Sequence, residues 1–187
     1  RQVMPRFVFY ECTVHAPWDR VRARLSQWGY VCALATVSAC DVGAPHRHKR
    51  TYLLGCLEPL NMKQPSYKRN PYTLVPSPTP TMNRSPLTDK QRTKSNFQTW
   101  LSKHSDEPND AFAHWATVMG YEAPSDNDFI KKKERVAEWM MGIPYGWGSN
   151  QNLSHRTACL LIGSASVWQQ AHLGLWRTSL EVNRLLA

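Results

Sequence analysis

No two cysteines in this sequence stand at the short spacing that grips a metal. Cys12, Cys32, Cys40, Cys56 and Cys159 are scattered through 187 residues. With no C-x-x-C pair, the ribbon and knuckle types of zinc site are not expected, although His15, His46 and His48 lie among the cysteines. An odd, dispersed set also argues against a disulfide framework and for a reducing, cytoplasmic compartment. Long apolar runs are missing too. None approaches the roughly 18 residues of a membrane-crossing helix, and no secretory leader is expected, so a membrane partner is not expected either. Carboxylates are scarce where cations are dense. Residues 60–105 hold eight Lys and Arg against one acid, Asp89.

That local shortage of acid sets the charge pattern. The net charge is +9, with a pI near 9.5. Residues 1–59 carry eight Lys/Arg against four Asp/Glu, residues 106–138 reverse to four against eight, and 139–187 carry three against one. Most of the excess thus lies in a Pro- and Ser-rich middle. A basic stretch interleaved with Tyr67, Tyr72, Phe97 and Trp100 suits a polyanionic partner, nucleic acid first.

Chain order predicts an α/β fold. Phe7-Val8-Phe9-Tyr10 is a β-branched and aromatic run, continuous enough to predict a strand buried on both faces. Glu11 follows at its C-terminal end, the edge at which open α/β sheets bind ligands. Trp18, Val21, Leu25 and Trp28 recur at helical spacing, and Gly29 stops the helix. Tyr30–Val37 and Arg50–Leu57 read as further strands, so strand, helix, strand, turn, strand forms part of an α/β sheet. Prolines at 59, 65, 71, 76, 78, 80 and 86 forbid long elements in the middle. A short helix is predicted over Asp110–Met119. Helices follow over 131–141, where Val136, Trp139 and Met140 mark a core face, over His155–Ile162, and from Val167 through Leu175 with an extension toward Leu186.

Between the second and third strands lies Gly43-Ala44-Pro45-His46-Arg47-His48-Lys49-Arg50, five basic or imidazole side chains behind a Gly-x-Pro turn. Such a turn suits contacts to phosphate or to a base edge. It reads equally as a solvated turn with its charges in water.

Four blocks, in order, resemble the DNA (cytosine-5) methyltransferases, the bacteriophage-type members in particular. Phe7-Val8-Phe9-Tyr10-Glu11-Cys12-Thr13 is similar to the strand ending in Glu-Asn-Val, and Gly43 to Arg50 is similar to the Gly-x-Pro-Gln-x-Arg-x-Arg block. Glu138-Trp139-Met140-Met141-Gly142-Ile143-Pro144-Tyr145-Gly146-Trp147 resembles the helix and Gly-Leu-Pro-x-Gly-Trp turn. Leu161 to Ala171 resembles the closing Leu-Gly-Asn-Gly-Val-Val-Pro-Gln-Gln-Ala block.

The resemblance implies a partial Rossmann-like sheet of the S-adenosylmethionine-dependent kind, a loop-rich target-recognition lobe and closing C-terminal helices, over 1–59, 60–125 and 126–187 respectively. It implies double-stranded DNA as partner, a flipped-out cytosine as substrate and S-adenosyl-L-methionine as cofactor. By that likeness a cysteine thiolate attacks C6 of the cytosine and C5 takes the methyl group. Glu11 stands where the family hydrogen-bonds N3, and Arg50 where it holds O2. His46 and His48 fall in the substrate-binding block, and Ser164 stands at an Asn of the cofactor pocket.

Departures are specific. No cysteine here follows a proline, so no nucleophile is expected in this chain, and the Gly-rich cofactor loop has no counterpart. Cys12-Thr13 replaces Asn-Val, His48 replaces the first arginine and Ser164 replaces Asn. The expectation is the C-terminal part of such an enzyme, inactive alone and able to work if a separate chain supplied the N-terminal half, in the cytoplasm of a phage's or prophage's bacterial host. The alternative is a catalytically inactive DNA-binding or interaction protein derived from the family.

Overall fold

A computed structural model describes residues 4–78, 109–125, 133–144, 146–148 and 153–187. The chain divides into two compact units. One comprises Arg1–Ser38, Lys49–Tyr67 and Gln169–Ala187, and the other Ala39–His48 and Lys68–Trp168.

The first unit is built on three strands, β1 (Phe7–Cys12), β2 (Val31–Ser38) and β3 (Lys49–Cys56), in the order β1-β3-β2. Both pairings are antiparallel, with Glu11 opposite Tyr52 and Val37 opposite Arg50. Two sequence expectations change here. The run Phe7–Tyr10 predicts burial on both faces, yet β1 is an edge strand with Phe7 52% and Tyr10 46% exposed. A continuous apolar run specifies a strand without specifying how many neighbours it has. The carboxyl-edge rule that singled out Glu11 belongs to parallel sheets and does not describe these antiparallel strands. Glu11 nonetheless sits near the C-terminal end of β1.

Alternation along the strands sends side chains to two faces, and a helix covers each. Helix α1 (Trp18–Gln27) lies on one face, where Trp18 and Leu25 join Tyr30 and Leu53 in a cluster flanked by Val8, Cys32 and Leu34. Burying a side chain of that size contributes about 1.5–3 kcal/mol. Trp28 does not join them. It is 45% exposed, with the Arg24 guanidinium over its ring at 5.1 Å. Gly29, at φ +87°, ends the helix as its position predicts.

The opposite face takes the long C-terminal helix, designated α5 (Trp168–Leu186), which runs the full extent toward Leu186. Val182 packs with Ala33, Leu54 and Cys56. Asn183 grips the backbone of Leu60, accepting from its N–H at 2.9 Å and donating to its carbonyl at 3.1 Å.

Among the described residues, the second unit holds a 3-10 turn (Ala39–Val42) and, between that turn and α5, the helices α2 (Asp110–Met119), α3 (Lys133–Met140) and α4 (His155–Ser164). Helix α2 has the bounds its pattern predicts. Asn109 caps it by accepting from Phe112 N–H, and Gly120 at φ +74° closes it. The α3 stripe is core, since Val136, Trp139 and Met140 are buried. Trp115 of α2 donates its indole N–H to the Trp139 carbonyl at 2.8 Å, and Phe112 meets the Trp139 ring edge-on at 5.3 Å. Helix α4 begins at Ser154, whose hydroxyl accepts from Thr157 N–H, and runs two residues past the predicted Ile162. Phe97 and Trp100, two aromatics of the basic middle, lie outside the described residues. No helix among the described residues is long and apolar enough to cross a membrane.

Candidate active site

Glu11 and Arg50 come together. With Glu11 opposite Tyr52, Arg50 is its diagonal neighbour two residues along β3, and both side chains leave the same face of the sheet. The Arg50 Nε lies 2.9 Å from Glu11 Oε1, and the contact is an ion pair without hydrogen-bond alignment. The arginine side chain is 10% exposed and the carboxylate 34%. The cation is therefore anchored within the fold while the carboxylate faces outward. Period-two alternation also separates Arg50, buried, from Lys49, which points to solvent.

The ground beneath the pair is fixed by close packing. Tyr52 stacks parallel on Phe9, with centroids 5.6 Å apart, and α5 passes over the tyrosine at Gly174. A Cβ at that glycine would fall 2.6 Å from Tyr52 Cγ, so only glycine permits this approach. At the other end of the same face, the fully buried Gln170 donates its amide N–H to the Val37 carbonyl at 2.6 Å. Val37 is the register partner of Arg50, so α5 is tied to the strand beside the arginine. On the sheet itself, the hydroxyls of Thr36 and Thr51 lie 2.9 Å apart. A cleft of about 530 Å³ opens where β1 meets α1, bordered by Glu11, Cys12, Trp18, Arg20 and Trp28.

His46 and His48 sit in the second unit, in a turn that is mostly buried. Gly43, at φ +98°, is hemmed by Val118 and the Lys68 carbonyl, which excludes a side chain there. His46 is wholly buried. Its Nδ1 accepts from the His48 backbone N–H at 3.2 Å, so Nε2 carries the proton and donates to the Met140 carbonyl at 3.0 Å. Desolvation, then the neighbouring His48, lowers the His46 pKa from 6.5 to about 3, against a small opposing effect of the Met140 hydrogen bond. This imidazole is neutral, and both of its nitrogens are used within the protein. Of the five basic or imidazole side chains in the turn, Arg47 and Lys49 are exposed, His48 is intermediate, and His46 and Arg50 are buried. A solvated turn therefore describes only part of it.

Three polar residues that organise these surroundings escape sequence reasoning. Asn70, 4% exposed, donates its amide N–H to the carbonyls of Gly43 and Ala111, and its backbone N–H to Cys40. Glu138, fully buried, accepts from the backbone N–H groups of Gly146 and Gly148 and so shapes the turn that holds Trp147, 55% exposed. Gln170 is the third. The only sequence signal for the last two is their place in the matched blocks, and Asn70 has none. Ser164 ends α4 with its side chain exposed.

Chemically, a guanidinium beside a carboxyl group sets fixed N–H donors next to a pair of hydrogen-bonding oxygens, a pattern that suits a polar ring edge. Among the described residues, no three His, Cys, Asp or Glu side chains gather to hold a metal.

Comparison with known proteins gives one family. The model of the C-5 cytosine-specific DNA methylases matches residues 15–158, more than half of the chain. No curated protein matches significantly. Among solved structures, the Entamoeba histolytica methyltransferase EhMeth is similar with a TM-score of 0.50 at 14% identity, over 90% of this chain and 61% of that one. The S. pombe Dnmt2 methyltransferase gives 0.49 at 14% identity, over 97% of this chain and 66% of that one. The chain thus spans about 61% of the length of EhMeth, and at such identities the likeness concerns the fold.

Proposed function

The chain belongs to the C-5 cytosine-specific DNA methylase family, and from that premise we propose that it is the C-terminal part of a DNA (cytosine-5) methyltransferase, holding a cytosine flipped out of duplex DNA. The observation that carries this reading is the Glu11–Arg50 pair, 2.9 Å apart on adjacent strands. Arg50 donates to O2 of the base. Glu11, in its protonated form, donates to N3, draws electron density from the ring and makes C6 electrophilic. Arg50 is anchored before the base arrives, so its donors need no reorganisation as charge develops. His46, with both ring nitrogens hydrogen-bonded inside the protein, serves as a positioning residue for the turn, and His48 is assigned to the same substrate-binding block. Residues 1–59 supply the catalytic part, 60–125 the target-recognition lobe and 126–187 the closing helices.

S-adenosyl-L-methionine supplies the methyl group in the complete enzyme. A molecule of that size needs an enclosed site, and Ser164 offers one exposed hydroxyl at a helix end. The described residues do not by themselves fit the cofactor, which is assigned to the assembly with an N-terminal half bearing the nucleophile. On this reading the protein is a transferase of DNA methylation, as in restriction-modification, acting in the cytoplasm of a bacterial host.

The departures at His48 and Ser164 favour a second reading, a catalytically inactive DNA-binding protein derived from the family. A methyl-transfer assay with tritiated S-adenosylmethionine on duplex DNA tests both. The chain alone is expected to transfer nothing. Together with an N-terminal half bearing a Pro-Cys motif, it is expected to label cytosine. Labelling by the chain alone contradicts the assignment of the nucleophile elsewhere. Duplex binding with no labelling in the assembly favours the second reading.

A further inference from the structure

A groove in the second unit remains unused by the site above. It has a volume of about 890 Å³ and is lined by Arg47 and by the segment Arg69–Ser77. That volume lies toward the top of the range for ligand sites, roughly 300–1,000 Å³, and among the described residues its wall holds no acid.

The groove is held in shape from both ends. At one end the buried Asn70 ties the segment to the turn, through its backbone N–H to the Cys40 carbonyl at 2.8 Å and its amide to the Gly43 carbonyl at 2.9 Å. Its Oδ1 then accepts from Tyr72 N–H at 3.1 Å, which fixes the start of the wall. At the other end Val75 N–H donates to the Pro45 carbonyl at 2.8 Å, and Val75 and His46 form a parallel bridge. His46 is itself held, and Arg47 follows it directly. Both arginines therefore project from backbone that is hydrogen-bonded in place.

Arg47 and Arg69 are exposed, and neither forms an ion pair with a carboxylate among the described residues. Tyr72, 46% exposed, adds a ring supported edge-on by His114 at 6.1 Å. Two exposed guanidinium groups on fixed backbone, with an aromatic ring and no acid among the described wall residues, suit a strand of alternating phosphate and sugar. Phosphodiesters recur at regular spacing along a nucleic-acid strand, so two cations held along one groove can each meet one. We propose that this groove docks the sugar-phosphate backbone of duplex DNA, with Arg47 and Arg69 each neutralising a phosphate and Tyr72 packing against the sugar. The proposal rests on the DNA-binding reading above.

The test is binding of the full chain to a fluorescein-labelled 20-base-pair duplex, followed by anisotropy between 50 and 200 mM salt. The variants are Arg47→Ala, Arg69→Ala, the double variant and, as control, Lys63→Ala, an exposed cation outside the groove. Removing one cation that neutralises a phosphate lowers the slope of log K against log salt by ~1. The double variant is therefore expected to drop by ~2 in slope and by roughly tenfold or more in affinity at low salt. Lys63→Ala is expected to leave the slope unchanged, and the circular dichroism of every variant to match the parent. Parent binding with an unchanged double variant overturns the groove and leaves the DNA reading standing. An equal drop in Lys63→Ala also overturns it, because binding would then be diffuse. Failure of the parent to bind the duplex at 50 mM salt overturns the DNA reading and the groove's occupant together.

Discussion

Arg50 Nε approaches Glu11 Oε1 to 2.9 Å across the β1–β3 pair, with the arginine buried and the carboxylate a third exposed. That asymmetry fixes what each substitution does. Glu11→Gln keeps the shape and removes a charge at the rim, so it is expected to cost under ~1 kcal/mol of stability. Arg50→Met removes the anchored cation, and a double-variant cycle in urea unfolding is expected to return a coupling of roughly 1 kcal/mol. In the assembled enzyme, Glu11→Gln is expected to lower kcat by ~10²–10⁴, the usual span for a missing proton donor. A Glu11→Gln enzyme with parental kcat rules out the assigned role.

Gly174 meets the face of Tyr52, and Gly174→Ala should expose the consequence. Alanine gains about 1 kcal/mol of helix propensity over glycine. Overpacking against a ring already stacked on Phe9 costs about 1–3 kcal/mol. A net loss is expected in the parent background. In Tyr52→Leu, where the ring is absent, the same change is expected to become neutral or stabilising. The sign reversal is the measurement, and its absence means that the contact does not constrain α5.

The Glu138 carboxylate accepts from Gly146 and Gly148 N–H groups in a buried turn. Glu138→Ala is expected to cost roughly 3 kcal/mol, since it removes charge-assisted bonds and leaves buried donors behind. Glu138→Gln retains one acceptor oxygen and should cost less. Urea unfolding monitored by tryptophan fluorescence orders the three proteins, and equal stability across them contradicts a structural role for this carboxylate.

His46 makes stability depend on pH in a defined window. Its folded pKa is about 3 against 6.5 in the open chain, so between those values the unfolded state holds the extra proton. The contribution is complete above pH 6.5 and is lost as pH falls from 6.5 toward 3. Between about pH 7.5 and 5.5 the parent is expected to lose about 1.4 kcal/mol more than His46→Gln. Parallel pH curves for the two proteins mean that the imidazole is not desolvated.

Much of the architecture was readable because it is local. The apolar runs of β1, β2 and β3 and the three-and-four spacing of α1 and α2 depend on near neighbours in the chain, and alternation alone separates buried Arg50 from exposed Lys49. What was not readable depends on distant backbone. Asn70, Gln170 and Glu138 are ordinary polar residues until a carbonyl or a pair of amide groups from elsewhere meets them. His46 looked like part of a charged cluster, because spacing does not distinguish a desolvated imidazole from a hydrated one. β1 looked doubly buried because composition does not report how many strands flank a strand. The Glu11–Arg50 juxtaposition was legible only through the matched blocks, since no local pattern links residues on different strands.

The amide of Gln170 and the carbonyl of Val37 that it binds are 133 residues apart. During synthesis the ribosome completes β1, β2 and β3 long before it makes α5, so the face carrying Glu11 and Arg50 waits uncovered for the last helix. Contacts of such separation form late and slowly. A nonsense or frameshift lesion just before residue 168 would leave both site residues encoded while removing the cover that packs their strands.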